Sequence, residues 1–395
     1  MMNHFSALGI TPQILEVLDR LHFETPTPIQ HQSIPPCLAG SDVIGIAQTG
    51  TGKTLAYALP MIQRFQTMQG HGLILLPTRE LALQVDEAIR KIAKQFGMGT
   101  VVLIGQESMG RQLEALRRRP RIFVATPGRL LDHLQRRTLS LHHVKILVLD
   151  EADRMLDMGF APQINRIFGS LPGERQTLLY SATMPSGIVR IAASHMKLPV
   201  RVEVAPSGTA PEKVEQEIIV VHKESKQALL ETILQEHAGT VLVFARTKRG
   251  ANKICRNLFH KGFESAEIHS NRTQSQRQKA LEGFRRGRHR ILVATDIASR
   301  GLDISHISLV INYDLPDNSE DYVHRIGRTA RAGREGKAIS FATPDQRNNI
   351  RGIEKLIRKT LKIVSKKPFS LSPEIFSARP AVPHRRGRHS FFRRR

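Results

Sequence analysis

Ala47-Gln-Thr-Gly-Thr-Gly-Lys-Thr54 matches the phosphate-loop pattern G-x-x-x-x-G-K-[ST] at every fixed position but the first, where Ala47 stands for Gly. Gly50 and Gly52 let the backbone curl, so that N–H groups from Ala47, Gln48, Thr49 and Thr51 onward point at phosphate oxygens. Lys53 adds charge near the β and γ phosphates. Thr54 offers a hydroxyl to Mg²⁺ at a helix N-terminus, which favours anions. Val43-Ile-Gly-Ile46 reads as the strand before the loop and Leu55-Ala-Tyr-Ala-Leu59 as the helix after it. Pro60 is expected to kink that helix. A strand–loop–helix of this kind belongs to an α/β protein that binds nucleotide phosphates.

Outward from the loop, residues 40 to about 205 alternate short apolar runs with helical patterns. Leu73–Leu76 precedes Pro77-Thr-Arg-Glu80, and Arg121–Ala125 precedes Thr126-Pro-Gly-Arg129. Val144–Leu149 precedes Asp150-Glu-Ala-Asp153, and Thr177–Tyr180 precedes Ser181-Ala-Thr183. Runs that are apolar on both faces predict a parallel sheet covered on both sides. Polar groups directly after each run lie at the carboxyl ends of the strands, where open α/β sheets build their sites.

Residues 203–213 lose this periodicity and, with two prolines and a glycine, read as a linker. The pattern then restarts at Val241–Phe244, Ala266–Ile268, Ile291–Val293, Leu309–Ile311 and Ala338–Phe341. Arg246-Thr-Lys248, His269-Ser270 and Thr295-Asp296 follow strands of this second unit. It has no phosphate loop, which suggests a partner domain that completes the first one's site. Upstream, the prolines of Phe23-Glu-Thr-Pro-Thr-Pro-Ile-Gln30 predict a rigid non-helical segment. Gln30, just after it, has the donor and acceptor that match the adenine edge, and Phe23 can stack on the same ring.

The formal charge of the 395 residues is +24, which points to a polyanionic partner and most simply to nucleic acid. With no Trp and few aromatics, backbone contacts are expected to outweigh base stacking. From residue 366 on, nine Lys and Arg face Glu374 alone, and apolar periodicity disappears. This reads as a basic, disordered tail. No run of about 18 apolar residues predicts a membrane span. No basic-then-apolar leader opens the chain, and Cys37 and Cys255 form no CxxC pattern. A cytoplasmic, reducing setting is expected.

Two constellations carry the chemistry. Asp150 can hold the Mg²⁺ shell and Glu151 can orient or deprotonate the attacking water. Arg325, Arg328, Arg331 and Arg334 recur every three residues, close to one face if the segment is helical. Their guanidinium forks match phosphate oxygens and suggest an arginine finger supplied by the second domain.

With these residues the chain resembles the DEAD-box ATP-dependent RNA helicases of superfamily 2, and among them the bacterial RhlE-type subgroup. The match runs from Phe5 to about residue 345, and its motifs are specific in order and spacing. Phe23–Gln30 matches the adenine-reading Q motif, with Phe5 as its upstream aromatic. Ala47–Thr54 matches the family's own form of the phosphate loop. Asp150-Glu-Ala-Asp153 is the naming tetrapeptide.

The resemblance implies two tandem RecA-like domains: a Q-motif segment (1–32), an ATP-binding domain (33–204), a linker (205–213), a second domain (214–365) and the tail (366–395). It implies RNA contacts from Pro77, Thr78 and Arg79, from Gly105, from Thr126, Gly128 and Arg129, and from Arg246, Gln274, Arg277 and Thr295. Ser181 and Thr183, with Asp153, would couple hydrolysis to strand separation. Gly301 and Asp303 would touch nucleotide. His324 belongs to the arginine-finger motif, with Arg328 and Arg331 as the fingers. ATP, Mg²⁺ and largely sequence-independent RNA are the implied ligands, with ribosomal particles or RNA-degradation machinery as possible settings. Two positions depart from the family. Gln106 follows Gly105 where Gly-Gly is usual, and Ser270 follows His269 where many members carry Gly. Both bear on RNA grip rather than on ATP chemistry. A DNA translocase and an RNA chaperone working through the basic tail are the rival readings.

Overall fold

The computed structural model describes residues 4–48, 50–204, 214–296, 307–330, 335–369 and 371, and of Gln274 and Glu320 the backbone alone. The first domain holds strands β1 (Val43–Ile46), β2 (His71–Leu75), β3 (Thr100–Leu103), β4 (Ile122–Ala125), β5 (Val144–Leu149), β6 (Gln176–Ser181) and β7 (Val200–Glu203). Its helices are α1 (Pro12–Arg20), α2 (Pro28–Leu38), α3 (Lys53–Arg64), α4 (Arg79–Ala93), α5 (Met109–Arg117), α6 (Pro127–Gln135), α7 (Ala152–Asp157), α8 (Ala161–Phe168) and α9 (Ser186–His195). The second holds β8 (Val214–Val220), β9 (Val241–Phe244), β10 (Ser265–Ile268), β11 (Ile291–Ala294), β12 (Leu309–Asn312), β13 (Gly336–Ala342) and β14 (Lys362–Ile363). With them go α10 (Lys226–Glu236), α11 (Lys248–His260), α12 (Gln274–Arg285), α13 (Ser319–Ile326) and α14 (Arg347–Ile357).

Both sheets are parallel in every pair, with orders β3-β4-β2-β5-β6-β1-β7 and β10-β11-β9-β12-β13-β8-β14. Counted from its own first strand, the second order repeats the first. The chain is one architecture used twice, with the phosphate loop in the first copy.

Each strand feeds two cores because successive side chains point to opposite faces. Ile74 of β2 packs in one cluster, whereas Leu73 and Leu75 pack in the other. In the second sheet Leu242 and Phe244 go to one face and Val241 and Val243 to the opposite one. Burial on both faces explains why the central strands read as continuous apolar runs.

Several expectations change. Pro28 does not lie in a non-helical segment; it is the first residue of α2, where its missing N–H costs nothing. Helix α3 runs on past Pro60 to Arg64, with Pro60 inside it. The arginine spacing after Tyr322 does not continue on a helix, because α13 ends at Ile326. Strands β3, β7, β8 and β14 have no counterpart among the expected runs. The basic tail does not begin at residue 366 either. Phe369 and Leu371 pack on the second domain, and the Leu371 N–H donates to the Val220 carbonyl at 2.8 Å. The linker 205–213 and residues 372–395 lie outside the described residues.

Candidate active site

The phosphate loop joins the end of β1 to the start of α3. Lys53 is buried, and its Nζ donates to the Ala47 carbonyl at 3.0 Å. The Thr51 hydroxyl donates to the Gln48 carbonyl at 2.7 Å. Gly50 and Gly52 have φ of 87° and 91°, in the left-handed region. A Cβ on Gly52 would lie 2.4 Å from Gln30 Nε2, so the glycine also makes room for the upstream segment. Thr54 sits in the first turn of α3.

Gln30 is buried and tied on both sides. Its Oε1 accepts from the Thr27 N–H at 2.9 Å and its Nε2 donates to the Gly52 carbonyl at 3.0 Å. Thus the residue expected to read adenine also closes the N-terminal box of α2 and holds the phosphate loop. Phe23 is exposed, whereas Phe5 is buried in the core. Of the two expected aromatics, only Phe23 is accessible at the surface.

The acidic groups stand where β5 ends. Asp150 is buried; its Oδ1 accepts from the Glu151 N–H at 2.9 Å and its Oδ2 from the Tyr57 hydroxyl at 3.0 Å. Desolvation pushes its pKa up against the pull of Lys53. Glu151 caps α7 from a left-handed backbone, φ 52°. Burial alone would raise its pKa, but Arg154, Lys53 and Arg328 together hold it below the ordinary range. Asp153 Oδ2 accepts from the N–H groups of Ala182 and Thr183, at 3.0 and 2.8 Å, and from the Thr183 hydroxyl at 3.0 Å. The Asp153 N–H donates to Ser181 Oγ at 3.2 Å. The strand ends of β5 and β6 are therefore one hydrogen-bonded unit, in which Asp153 joins Thr183 to the segment that carries Glu151.

Across the cleft, α13 brings His324 to this unit. Arg154, which sequence reasoning missed, donates from Nη1 to Glu151 Oε2 at 2.7 Å and from Nη2 to His324 Nδ1 at 3.1 Å. Because a guanidinium only donates, Nδ1 accepts and the imidazole proton sits on Nε2. His324 Nε2 lies 3.8 Å from Asp153 Oδ2. Arg328 is buried past the end of α13. Arg325 is structural: its fork grips Asp296 at 2.6 and 2.7 Å, and it lies over the Phe244 ring.

Of the expected RNA contacts, Arg79, Gly105, Arg129 and Arg277 lie together. Thr78 and Thr126 are N-caps of α4 and α6. Pro77 and Gly128 flank them, and helix N-termini of this kind favour phosphate. Arg79 lies near Gly105, and burial lowers its pKa, aided by the nearby Arg277 and Arg129. Arg129 donates to the Glu107 carbonyl at 3.2 Å. Gln106 takes φ 59°. From the second domain Arg277 pairs with Glu80 of α4 at 3.0 Å. Arg246 and Thr295 follow β9 and β11. Gln274 begins α12. Thr49, Gly301, Asp303 and Arg331 lie outside the described residues.

Among the described residues no helix is long and apolar enough to cross a membrane. A family model described as DEAD/DEAH box helicase matches residues 27–191, and one described as helicase conserved C-terminal domain matches 224–333. An ATP-dependent RNA helicase CshA of Listeria monocytogenes is 44% identical over 363 residues, 91% of this chain and 70% of that relative. The structure of S. cerevisiae Dbp5 bound to RNA and ADP BeF3 is 29% identical, with a TM-score of 0.83 over 92% of this chain and 96% of that one. Mss116p bound to ssRNA and AMP-PNP gives 30% identity and the same TM-score over 94% of this chain and 80% of that one. The relatives carry the name CshA, so the RhlE-type subgroup gains no support.

Proposed function

From the premise that the chain belongs to the DEAD-box family and is an ATP-dependent RNA helicase, we propose that the cleft between its two sheets works as a clamp. ATP sits on the first domain, with its phosphates along residues 47–54 and its adenine against Gln30 and Phe23. Phe5 acts through packing. RNA lies across Arg79, Arg129, Arg246 and Arg277, gripped by its phosphates and 2′-OH groups. Closure brings Arg328, and with it Arg331, to the γ-phosphate. ATP and RNA both favour the closed state, so each tightens the other.

The observation that carries this reading is the contact of Arg154 with Glu151 on one side and His324 on the other. The likeness to two structures titled with RNA and a nucleotide analogue supports it. Glu151, kept ionised by Arg154, Lys53 and Arg328, is suited to orient and deprotonate the attacking water. The site also fits a divalent cation, because the buried Asp150 carboxylate is short of compensating charge. Mg²⁺ held through Thr54, Asp150 and Glu151 would offset charge on the transferring phosphate. We place this activity in the cytoplasm, in line with the two free thiols Cys37 and Cys255.

The test is RNA-stimulated ATP hydrolysis. RNA is expected to raise the rate, and Glu151→Gln to retain ATP binding while turnover nearly vanishes. RNA-independent hydrolysis, or a fully active Glu151→Gln, sinks the clamp.

A further inference from the structure

Tyr57 lies in α3, three residues after Thr54 and so on the same side of the helix. Its side chain is fully buried. Its hydroxyl donates to Asp150 Oδ2 at 3.0 Å. The Thr54 side chain interacts with the same phenol oxygen. One hydroxyl therefore touches two of the three side chains through which Mg²⁺ is proposed to be held. One of these belongs to the phosphate loop and the other to the end of β5.

The phenol is held in place. Its ring packs on Tyr180 at 5.4 Å between centroids, and Tyr180 is itself fully buried. Burial, and after it the Asp150 charge, keep the Tyr57 pKa well above the ordinary phenol value, so the hydroxyl stays a donor. Asp150 is thereby fixed at both oxygens, since Oδ1 takes the Glu151 N–H at 2.9 Å. A buried tyrosine hydroxyl needs an acceptor, and any backbone carbonyl would satisfy it. Here the acceptor is the carboxylate of the cation site, reached from the helix that carries Thr54.

We propose that Tyr57 is a positioning residue for the divalent cation: its hydroxyl holds the Asp150 carboxylate in one orientation, and so favours Mg²⁺ over larger, less exacting ions. The inference rests on the ATP site proposed above. Carboxylates that hold a metal are themselves held by hydrogen bonds, and loss of such a partner weakens metal binding by about 10- to 100-fold. Mg²⁺ is the more sensitive ion, because it demands near-ideal octahedral oxygen geometry. Ca²⁺ accepts a looser and more variable set of oxygens. Tyr57→Phe removes the hydroxyl alone and leaves a ring to pack on Tyr180.

The experiment measures binding rather than turnover. A fluorescent, non-hydrolysable ATP analogue is titrated onto the full chain in EDTA, in Mg²⁺ and in Ca²⁺, well below the melting temperature of each variant. The quantity read is the gain in affinity that each cation brings over EDTA. In Tyr57→Phe the gain from Mg²⁺ is expected to fall about tenfold, and the gain from Ca²⁺ by clearly less. In an Asp150→Asn background, Tyr57→Phe should cause no further loss, because the hydroxyl acts through the carboxylate. An unchanged gain from Mg²⁺ in Tyr57→Phe overturns the positioning role. So do equal losses for the two cations, or losses that add to those of Asp150→Asn. A parent chain that binds the analogue equally well in EDTA and in Mg²⁺ overturns the proposed cation site instead.

Discussion

Arg154 of α7 and His324 of α13 meet at 3.1 Å across the cleft, and the same guanidinium holds Glu151 at 2.7 Å. One buried side chain thus senses the second domain and orients the proposed base. Replacing it by Gln removes the fork but keeps a polar group. The expected result is a fall of about 10²-fold in RNA-stimulated kcat, the scale of a misplaced catalytic group, with the KM for ATP little changed. Arg154→Lys, which keeps one donor and the charge, should recover part of kcat. Steady-state ATPase assays with and without RNA check this. A variant whose kcat is intact, or whose loss is confined to KM, refutes the positioning role.

Gly45 of β1 lies in register with Tyr180 of β6, and a Cβ there would stand 2.5 Å from the Tyr180 ring. Tyr180 packs on Tyr57, at 5.4 Å between centroids, and Tyr57 donates to Asp150. Gly45→Ala should therefore cost about 1–3 kcal/mol in stability through overpacking and lower ATPase activity together. Thermal unfolding measures the first. Adding Tyr180→Leu should return part of the loss, since neighbouring sites are not additive. Simple additivity of the two substitutions sinks the steric argument.

The central strands and nearly all of the site-bearing loops were legible because burial on both faces forces continuous apolar runs, and each run ends in polar residues. The strands that escaped are at or near sheet edges. Val200-Arg-Val-Glu203 is mostly exposed, and Val214-Glu-Gln-Glu217 opens with polar residues. The first carries no apolar run; the second does, Ile218–Val221, but it comes only after three polar residues that break the pattern at the strand's start. Arg154 escaped for another reason. An arginine after three acidic residues in four resembles a solvated charge, and only its burial to 1% tells otherwise. Its position three residues after Glu151 was the available signal. The four arginines after Tyr322 misled in the opposite direction. Their period of three fits a helix, but Gly327 follows Ile326 and the helix stops there.

His133 of α6 links stability to pH. It is buried, and its Nε2 lies 3.0 Å from Gln112 Oε1, while Gln112 Nε2 donates to the Ile104 carbonyl before the Gly105–Gln106 loop. Burial, helped by Arg129, holds its pKa below the ordinary value. The unfolded chain takes up the proton near pH ~6.5, earlier than the folded one. The stability gained from the neutral ring is therefore complete above that pH and is lost as pH falls toward the folded value. Denaturant midpoints at pH about 7.5 and about 5 should drop more for the parent chain than for His133→Gln. His71, His195 and His237 shift the same way, so the difference between the two chains is the quantity to read. Equal drops refute the assignment to His133.

Where the chain is cut should separate the tail's charge from the second domain's packing. Phe369 packs in one core of that domain and Leu371 in the other, and the Leu371 N–H donates to Val220. Truncation after Leu371 removes seven arginines and one glutamate. It should weaken RNA binding and flatten its salt dependence, at ~0.7 in log–log slope for each phosphate released. ATPase activity at saturating RNA should persist if the tail acts as a tether that only raises the local concentration of RNA. Truncation before Lys366 adds a structural loss: the partly buried Phe369 ring alone contributes about 1 kcal/mol. That shorter chain should melt earlier, whereas the chain ending at Leu371 should melt like the parent. Equal melting of the two truncations refutes the docking of residues 366–371, and unchanged RNA affinity in the longer one refutes the tether.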